Sequence, residues 1–402
     1  AREQTVATVD IAPGSVIISV EALATALLQS EKQNRCDFCY YRRPGLRKCT
    51  ACGCHWYCDE TCQRAHWKLN HKKICKNYSS LSDLNEHERM DAILLSHLIA
   101  QLSPEDLEDA TSAASVFASL LPARRAQSPV RCLPPTVLPS EVIAHLYARF
   151  SNNNFVMHSN LNTFGHGIFP LASRLFNHSC VPNAIPVFNL TSSRPVMNVI
   201  ALRKIYIGEE ICLPYLDPAL LQMRRQMLGI TYGFQCWCQA CCFLQCIPQQ
   251  PTPVPHANLA KGLVDFVESN TTFESTDSNG APIPPELYPA FQESYITELS
   301  STFSEAAHLG PYEKALEVGR TLLCLYKLIY VPTYPQTGMH LLEMAKVAWN
   351  TILTSGASEE LFDLANTYLQ DASEILAIIG PEGDDTIPLD ECATLRELLA
   401  TE

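Results

Sequence analysis

The densest chemistry in this sequence lies between Cys36 and Cys75, where forty residues contain eight cysteines and three histidines. Seven of these cysteines and one histidine fall into four pairs whose members are separated by two or three residues. Thiolate and imidazole ligands at this spacing are typical of tetrahedral zinc sites, in which two pairs bind one ion. The block therefore predicts two zinc sites, with the candidate ligand pairs Cys36 and Cys39, Cys49 and Cys52, Cys58 and Cys62, and His71 and Cys75.

A smaller group of three cysteines occupies six residues of the chain, from Cys236 through Cys238 to Cys241. Because a tetrahedral zinc ion needs four ligands, this group predicts a third site whose fourth ligand comes from elsewhere. Cys180 is the natural candidate, since it lies in the polar motif Asn-His-Ser-Cys-Val-Pro-Asn at 177–183. Spacing alone leaves two competitors open, Cys242 and Cys246.

The distribution of cysteine and of charge narrows the class of protein. Sixteen of the 18 cysteines lie before residue 250, mostly at metal-binding spacing, which favours zinc thiolates in a reducing compartment over secreted disulfides. We find no run of about 18 apolar residues and no signal-like start, so we expect neither a membrane span nor a secretory signal. Residues 251–402 contain 6 basic and 23 acidic residues, whereas residues 35–76 contain 10 basic and 3 acidic ones. Residues 251–402 therefore suit a basic partner, and residues 35–76 suit an acidic one. Charged helix faces that are exposed to solvent explain the same charges equally well.

The elements that must position these residues predict an α+β, multidomain protein. Short β-branched segments at 6–20, 165–170, 195–202 and 210–215, with no βαβ rhythm, indicate a mostly antiparallel, irregular β fold. Helical patterns cover 60–69, 87–102, 105–121 and 141–150. After a proline-rich stretch at 248–255, expected to be a linker, helices are predicted at 311–329, 338–354 and 362–379. The packing of this tail resembles tetratricopeptide helices, and an ordinary helical bundle is equally compatible.

The motif at 177–183, the sequence Gly208-Glu209-Glu210 leading to Tyr215, and the cysteine tail together resemble a SET domain with its post-SET zinc loop. With the first cysteine block as an inserted MYND zinc finger, nearly the whole chain resembles the SET- and MYND-domain (SMYD-type) protein lysine methyltransferases. The resemblance implies an irregular, β-rich SET fold that is split by the finger and followed by a helical, tetratricopeptide-like domain. The implied parts are the N-terminal SET segment 1–30, the MYND finger 36–75, a helical SET insert 76–150, the core SET 151–218, the post-SET zinc region 219–247 and the helical domain 256–402.

The resemblance also implies which ligands share an ion. In a MYND finger, alternate pairs bind one zinc, so Cys54, His55 and His66 are expected to be spectators, with His66 as a rival to His71. The implied zinc sets are Cys36, Cys39, Cys58 and Cys62; Cys49, Cys52, His71 and Cys75; and Cys180, Cys236, Cys238 and Cys241.

The resemblance further implies that S-adenosylmethionine is the cofactor and that asparagine, histidine and aromatic side chains hold it. Asn153 is the best match to an Asn-x-Phe setting, although Asn152 and Asn154 leave its register open by one residue. An asparagine that only braces a loop, or a phenylalanine of the core, is the alternative for each assignment. The expected cofactor-binding residues are Arg2, Glu3, Asn153, Asn177, His178, Tyr215 and Phe234.

Tyr215 is the expected catalytic residue and Tyr232 its partner. Methyl transfer to lysine is a one-step displacement, so the amine must arrive neutral and in line with the S–CH3 bond. Free lysine has a pKa of about 10.4, which an apolar channel and a nearby sulfonium cation lower. Tyrosine hydroxyls can then orient the amine lone pair, and this positioning supplies rate without a general base.

Two functional hypotheses follow from these residues. The first is a lysine methyltransferase that acts on histones or other proteins, nuclear and cytoplasmic, monomeric and not bound to membranes. The second is a scaffold in transcriptional regulation whose MYND finger binds a proline-rich peptide or DNA. It gains support from the segment before Val6, which lacks the glycine-rich turn usual in the resembled family. Either the sequence starts inside the domain, or this turn binds differently, with Arg2 and Glu3 as the residues left to contribute there. A zinc hydrolase is disfavoured, because each cysteine cluster can close with four protein ligands.

Overall fold

The computed structural model describes residues 3–123, 131–134, 138–190, 194–248, 256–270, 283–356, 358–381 and 387–401. The strands among them lie between residues 16 and 213, and from residue 223 onward the described elements are helical. The predicted mixed, multidomain class is therefore confirmed. Most of the expected linker, 249–255, lies outside the described residues.

Two three-stranded antiparallel sheets and one short hairpin form most of the β structure. The first sheet has the strand order β1-β9-β8, the second has the order β2-β6-β5, and β3 pairs with β4. Their inward residues, among them Phe164, Phe188 and Val199, are fully buried in one apolar core. The bounds are β1 Val16–Glu21, β2 Ala24–Leu27, β3 Arg47–Lys48, β4 Trp56–Tyr57, β5 Phe155–Ser159, β6 Asn162–Ile168, β8 Ala184–Asn189 and β9 Val196–Ala201.

A short parallel pair departs from the antiparallel pattern that the sequence predicts. Strand β7, Asn177–His178, lies beside β10, Cys212–Leu213, with Leu213 opposite His178. The buried side chain of Asn183 holds this pairing, because its Oδ1 accepts from the Cys212 N–H at 2.9 Å and its Nδ2 donates to the Glu210 carbonyl at 2.8 Å. Because of this pairing, the residues that follow β10 run alongside Asn177 and His178.

Helices pack around and between the sheets in the first part of the chain and form a separate array in the second. Two π-helical turns, Trp67–His71 and Leu228–Tyr232, continue α1 and α9 without a break. Three 3-10 helices cover Gln29–Glu31, Cys75–Leu81 and Pro285–Phe291. The α-helices are α1 Glu60–His66, α2 Lys72–Ile74, α3 Glu86–Gln101, α4 Pro104–Glu108, α5 Ala113–Ser119, α6 Ser140–Tyr147, α7 Phe150–Asn153, α8 Pro170–Leu175, α9 Met223–Met227, α10 Gln239–Cys246, α11 His256–Ser269, α12 Glu293–Leu309, α13 Tyr312–Ile329, α14 Pro335–Ser355, α15 Glu359–Ile379 and α16 Ile387–Thr401.

Two local features differ from the sequence predictions. The helix expected over 105–121 is two helices, α4 and α5, because Asp109 accepts from the Thr111 N–H and Ser112 starts a new helix by accepting from the Ser115 N–H at 2.9 Å. Strand β8 is not among the predicted segments, and it contains Pro186, which a central strand does not tolerate. The structure places β8 at an edge of its sheet, where a missing N–H is tolerated.

The array from α11 to α16 buries apolar helix faces against one another. The helix predicted over 362–379 lies within α15, where Ala365, Leu369 and Ala372 are fully buried against α14 and its neighbours. Gly319 lets α13 approach closely, because a Cβ there would lie 2.1 Å from Met344 Sδ. The likeness to tetratricopeptide packing remains a prediction. Among the described helices, none is both long and apolar enough to cross a lipid bilayer.

Candidate functional site

The first cysteine cluster brings together Cys36, Cys39, Cys58 and Cys62, whose sulfur atoms all lie within 4.8 Å of one another. Cys39 Sγ lies 3.6 Å from Cys58 Sγ and 3.9 Å from Cys62 Sγ. Asp59 caps α1 by accepting from the Cys62 N–H at 2.9 Å, which fixes the last ligand. Sulfur atoms at about 2.3 Å from a tetrahedral zinc lie about 3.8 Å apart, so this spacing fits the ion.

The second cluster contains Cys49, Cys52, His71 and Cys75. The Nε2 atom of His71, at the end of a π-helical turn, lies 3.5 Å from Cys49 Sγ and 3.7 Å from Cys52 Sγ. Burial lowers the pKa of His71 to about 4, so its ring is neutral and can act as a metal ligand.

The expected spectators lie beside this cluster without joining its four ligands. His66, the rival to His71, has its Nδ1 3.0 Å from the Tyr57 hydroxyl instead. The His55 ring is tilted against that of His71 with its centroid 4.2 Å away, its Nδ1 lies 3.5 Å from Cys52 Sγ, and Cys54 donates to the Cys52 carbonyl. These side chains therefore support the ligands from outside.

The third cluster joins Cys180 to Cys236, Cys238 and Cys241. Cys180 Sγ lies 3.5 Å from Cys241 Sγ and 3.9 Å from Cys236 Sγ. The competitors are exposed on α10, where Cys242 faces the Trp237 carbonyl and Cys246 the Cys242 carbonyl. Four thiol donors at these separations again fit a tetrahedral zinc ion.

Four rings gather next to the third cluster. Tyr215 follows β10, while Tyr232 and Phe234 follow α9, and His178 belongs to β7. The Tyr215 ring centroid lies 4.9 Å from that of Tyr232, 5.3 Å from that of His178 and 6.4 Å from that of Phe234. Aromatic faces in this arrangement attract a cation such as a sulfonium group, so the rings fit S-adenosylmethionine chemically.

Hydrogen bonds fix the orientation of two of these rings. The Tyr215 hydroxyl donates to the Phe176 carbonyl at 2.6 Å. His178 accepts from the Tyr215 N–H at its Nδ1, 3.1 Å away, which places the ring proton on Nε2, 3.1 Å from Cys180 Sγ. Burial lowers the pKa of His178 to about 4 and raises that of Tyr232 to about 12, so both rings are uncharged at neutral pH.

Asn177 lies under the N-terminal segment. Its Nδ2 donates to the Glu3 carbonyl at 3.1 Å and to Glu210 Oε1 at 2.7 Å, and Glu210 Oε2 accepts from Gln4 Nε2 at 3.0 Å. The predicted residue Glu3 therefore reaches Asn177 through its backbone. Arg2, also predicted to bind the cofactor, lies outside the described residues.

Asn153 lies on α7, which packs against the π-helical turn Leu228–Tyr232. Its Nδ2 donates to the Leu121 carbonyl at 3.2 Å and the Arg149 carbonyl at 3.0 Å, so its contacts are those of a buried brace. Asn154 donates to His166 Nδ1, and its buried Oδ1 has no hydrogen-bond partner among the described residues. The structure thus groups His178, Tyr215, Tyr232 and Phe234 by ring contacts. Asn177 precedes His178 on β7 and contacts Glu3 and Glu210, and Asn153 has a separate set of contacts.

Three residues that hold this site were not singled out from the sequence. Asn183 accepts a hydrogen bond from the backbone of β10, and Glu210 accepts one from Asn177. The fully buried Arg224 of α9 donates to the Pro218 carbonyl, in the part of the chain between Tyr215 and Tyr232. The first two lie within the quoted motifs, which was the available signal. Arg224 carries no such signal in its local sequence.

Comparison with known proteins gives two results. The SET domain family matches residues 5–216, which is more than half of the chain. Histone-lysine N-methyltransferase Smyd1 of Mus musculus is 25% identical, over 86% of this chain and 78% of its own length. Histone-lysine N-methyltransferase ASHR1 of Arabidopsis thaliana is 30% identical, over 58% of this chain and 51% of its own. N-lysine methyltransferase SMYD2-B of Xenopus laevis is 29% identical, over 58% of this chain and 57% of its own length.

Proposed function

The chain belongs to the SET domain family, as a SMYD-type lysine methyltransferase, and we propose that it transfers methyl groups from S-adenosylmethionine to lysine side chains of histone or non-histone proteins. The observation that carries this proposal is the group of rings from His178, Tyr215, Tyr232 and Phe234, next to Asn177 and joined to the third cysteine cluster. It combines a cation-binding aromatic wall with two tyrosines that can orient an amine.

The cofactor, when bound, supplies an electrophilic methyl group on a sulfonium cation. In our proposal Asn177, His178 and Phe234 hold it, together with Asn153 and the segment of Arg2 and Glu3. The rings exclude water, and the loss of hydration together with the like charge of a bound sulfonium would lower the pKa of the entering lysine.

Tyr215 then orients the lysine amine. Its hydroxyl donates its proton to the Phe176 carbonyl at 2.6 Å, so in this proposal the Tyr215 oxygen acts towards the amine as a hydrogen-bond acceptor. Tyr232, whose pKa is raised to about 12, keeps its own proton and packs beside Tyr215. Held by these two hydroxyls, the amine lone pair can point along the S–CH3 axis.

We further propose that three zinc ions bind at the three clusters and stabilise the fold. In this proposal the cross-braced finger, the core SET region and the helical domain keep the bounds given by the resemblance. The protein is proposed to act as a monomer in the nucleus and cytoplasm.

The substrate peptide is proposed to lie along a groove of about 1270 Å³ on the tetratricopeptide-like helical domain, between α11, α13 and α15. Glu268 and Arg320 form an ion pair at 2.6 Å and neutralise each other. The other charged side chains that line the groove are mostly acidic. Near one end of the groove, Tyr330 donates to Asp217 Oδ1 at 2.9 Å, two residues after Tyr215. A basic peptide would complement this charge. The remaining lining charges are Asp265, Glu317, Asp371 and Glu374 against Lys261 and Lys327.

One observation favours the scaffold as a second candidate. The Glu3 carbonyl already accepts from Asn177, so the N-terminal segment lies on a residue that would otherwise face the cofactor. In that case the basic finger would bind a proline-rich peptide or DNA, and cofactor affinity would be low.

A methyl-transfer assay separates the two. The protein, reconstituted with zinc, is incubated with recombinant core histones and S-adenosylmethionine carrying a tritiated methyl group. Tritium on lysine is expected, and mass spectrometry locates the modified residue. A zinc-loaded protein that labels neither histones nor a library of basic peptides would favour the scaffold.

A further inference from the structure

The helical segment that carries the active-site rings begins far from them. Helix α9 runs from Met223 and continues as a π-helical turn to Tyr232, after which Gly233, with φ of +76°, ends the helix and Phe234 follows. At a rise of roughly 1.5 Å per residue, its first residue lies about 13 Å from Tyr232 along the axis. The position of Met223, at the start of the segment, therefore affects that of Tyr232 at its end, although Met223 lies away from the rings.

A carboxylate from the helical domain caps that start. Glu293 Oε1 accepts from the Gln222 N–H at 2.9 Å and from the Met223 N–H at 2.8 Å. Gln222 Nε2 also donates to Gln292 Oε1 at 2.9 Å. The first N–H groups of a helix have no partners within the helix, and the side chain of Gln222 does not cap this one itself. Glu293 supplies the missing acceptor.

The same carboxylate belongs to the first turn of α12. Two helix N-termini, each with a partial positive charge, thus meet at one negative side chain. Without it the two ends would repel each other and two N–H groups would lose their acceptor.

The rest of the segment transmits this anchoring to the site. Arg224 is buried and donates to the Pro218 carbonyl, and the fully buried Leu228 packs against the third cysteine cluster. The segment is therefore hydrogen-bonded to Glu293 at its start and packed against buried residues along its length, and it ends at Gly233.

We propose that Glu293 is a positioning residue, through which the helical domain sets the placement of Tyr232 and Phe234. The proposal rests on the proposed function for its catalytic consequence, whereas the capping itself does not.

The test compares Glu293→Ala with Glu293→Gln in the full, zinc-loaded chain. The alanine variant loses both hydrogen bonds, whereas glutamine keeps an acceptor oxygen. Glu298→Ala, on the same helix, is the matched control, because Glu298 is exposed and pairs with His256 at the surface. Amide hydrogen exchange of residues 222–234, zinc content, and kcat and KM with core histones are measured.

We expect Glu293→Ala to speed exchange in 222–234 at least tenfold, to keep all its zinc, and to lower kcat about tenfold with little change in KM. Glu293→Gln should restore most of the slow exchange in 222–234 and most of kcat. Glu298→Ala should match the unaltered protein in both measurements. Unchanged exchange in 222–234, or a glutamine variant as impaired as the alanine variant, would overturn the proposal. Exchange and zinc content need no methyl transfer, so they decide the capping role even if the unaltered protein proves inactive, a result that would count against the proposed function alone.

Discussion

His178 accepts a hydrogen bond at Nδ1 from the backbone N–H of Tyr215, 3.1 Å away. Its other ring nitrogen lies 3.1 Å from Cys180 Sγ. One neutral imidazole therefore joins the proposed catalytic tyrosine to a proposed zinc ligand. The third metal site and the reaction site are parts of one assembly, and a change at either is expected to reach the other.

Replacing Tyr215 by phenylalanine should lower turnover by roughly 10- to 100-fold, because the hydroxyl that orients the amine is lost while the ring remains. Zinc content and S-adenosylmethionine binding should stay unchanged. Steady-state kinetics with core histones, together with calorimetry, measures both. Tyr206→Phe is the control, since Tyr206 is 55% exposed and lies outside the ring group. Equal loss in both variants would contradict the role of Tyr215.

Replacing His178 by phenylalanine should weaken zinc binding at the third cluster alone. Residues that hydrogen-bond to metal ligands typically contribute 10- to 100-fold to metal affinity. Release of zinc to a chromogenic chelator should therefore show one of three equivalents leaving about 10- to 100-fold faster. The exposed His308 gives a matched His308→Phe control. Three equivalents that leave at unaltered rates would reject the link.

Stability should fall as the pH drops from about 6.5 towards 4, partly through His340. This ring is buried in the helical domain, its Nε2 lies 2.8 Å from the Gly319 carbonyl, and burial lowers its pKa from 6.5 to about 4. The unfolded chain takes up the proton first, so stability that is fully present above pH 6.5 is lost as the pH falls. At pH 5 the loss due to His340 should be about 2 kcal/mol.

Denaturant unfolding at pH 7.5 and pH 5 measures this loss. His340→Gln keeps a donor for the Gly319 carbonyl but cannot be protonated, so its stability should depend less on pH by that amount. If both proteins lost the same stability between the two pH values, His340 would not be the titrating group.

Replacing Gly319 by alanine should destabilise the helical domain by about 1–3 kcal/mol, as overpacking of a core does. The new methyl group would lie 2.1 Å from Met344 Sδ and 2.7 Å from a Phe303 ring carbon. Thermal unfolding measures the change. Gly229→Ala, with no neighbouring atom within 4 Å of its added Cβ, should change stability by less than about 1 kcal/mol. If Gly319→Ala were as stable as Gly229→Ala, the helix propensity gained with alanine would outweigh the steric clash, and tight packing at Gly319 would be rejected.

Local spacing was sufficient to find the cysteine pairs, because each pair is a short-range feature of the sequence. The split of the pairs into two clusters came from the resemblance, and the structure groups the same residues. Cys180, more than fifty residues from Cys236, was the natural candidate for the fourth ligand because of its polar motif, but spacing alone left Cys242 and Cys246 open, and the resemblance then implied the full set.

Long-range contacts could not be predicted in this way. Glu293 caps a helix seventy residues earlier in the chain, and nothing in its local sequence distinguishes it from other acidic residues at helix starts. The parallel pairing of β7 with β10 depends on Asn183, which reads equally well as a turn residue. Strand β8 was not predicted, and Pro186 within it weakens the strand pattern of its apolar neighbours.

Calorimetric titration of the zinc-loaded protein with S-adenosylmethionine shows whether this chain binds the cofactor at all. We expect saturable binding of one cofactor per chain, lost when Asn177 is replaced by alanine and kept in Tyr206→Phe. An absence of binding at high-micromolar cofactor, in protein that holds three zinc ions, would contradict the proposed function.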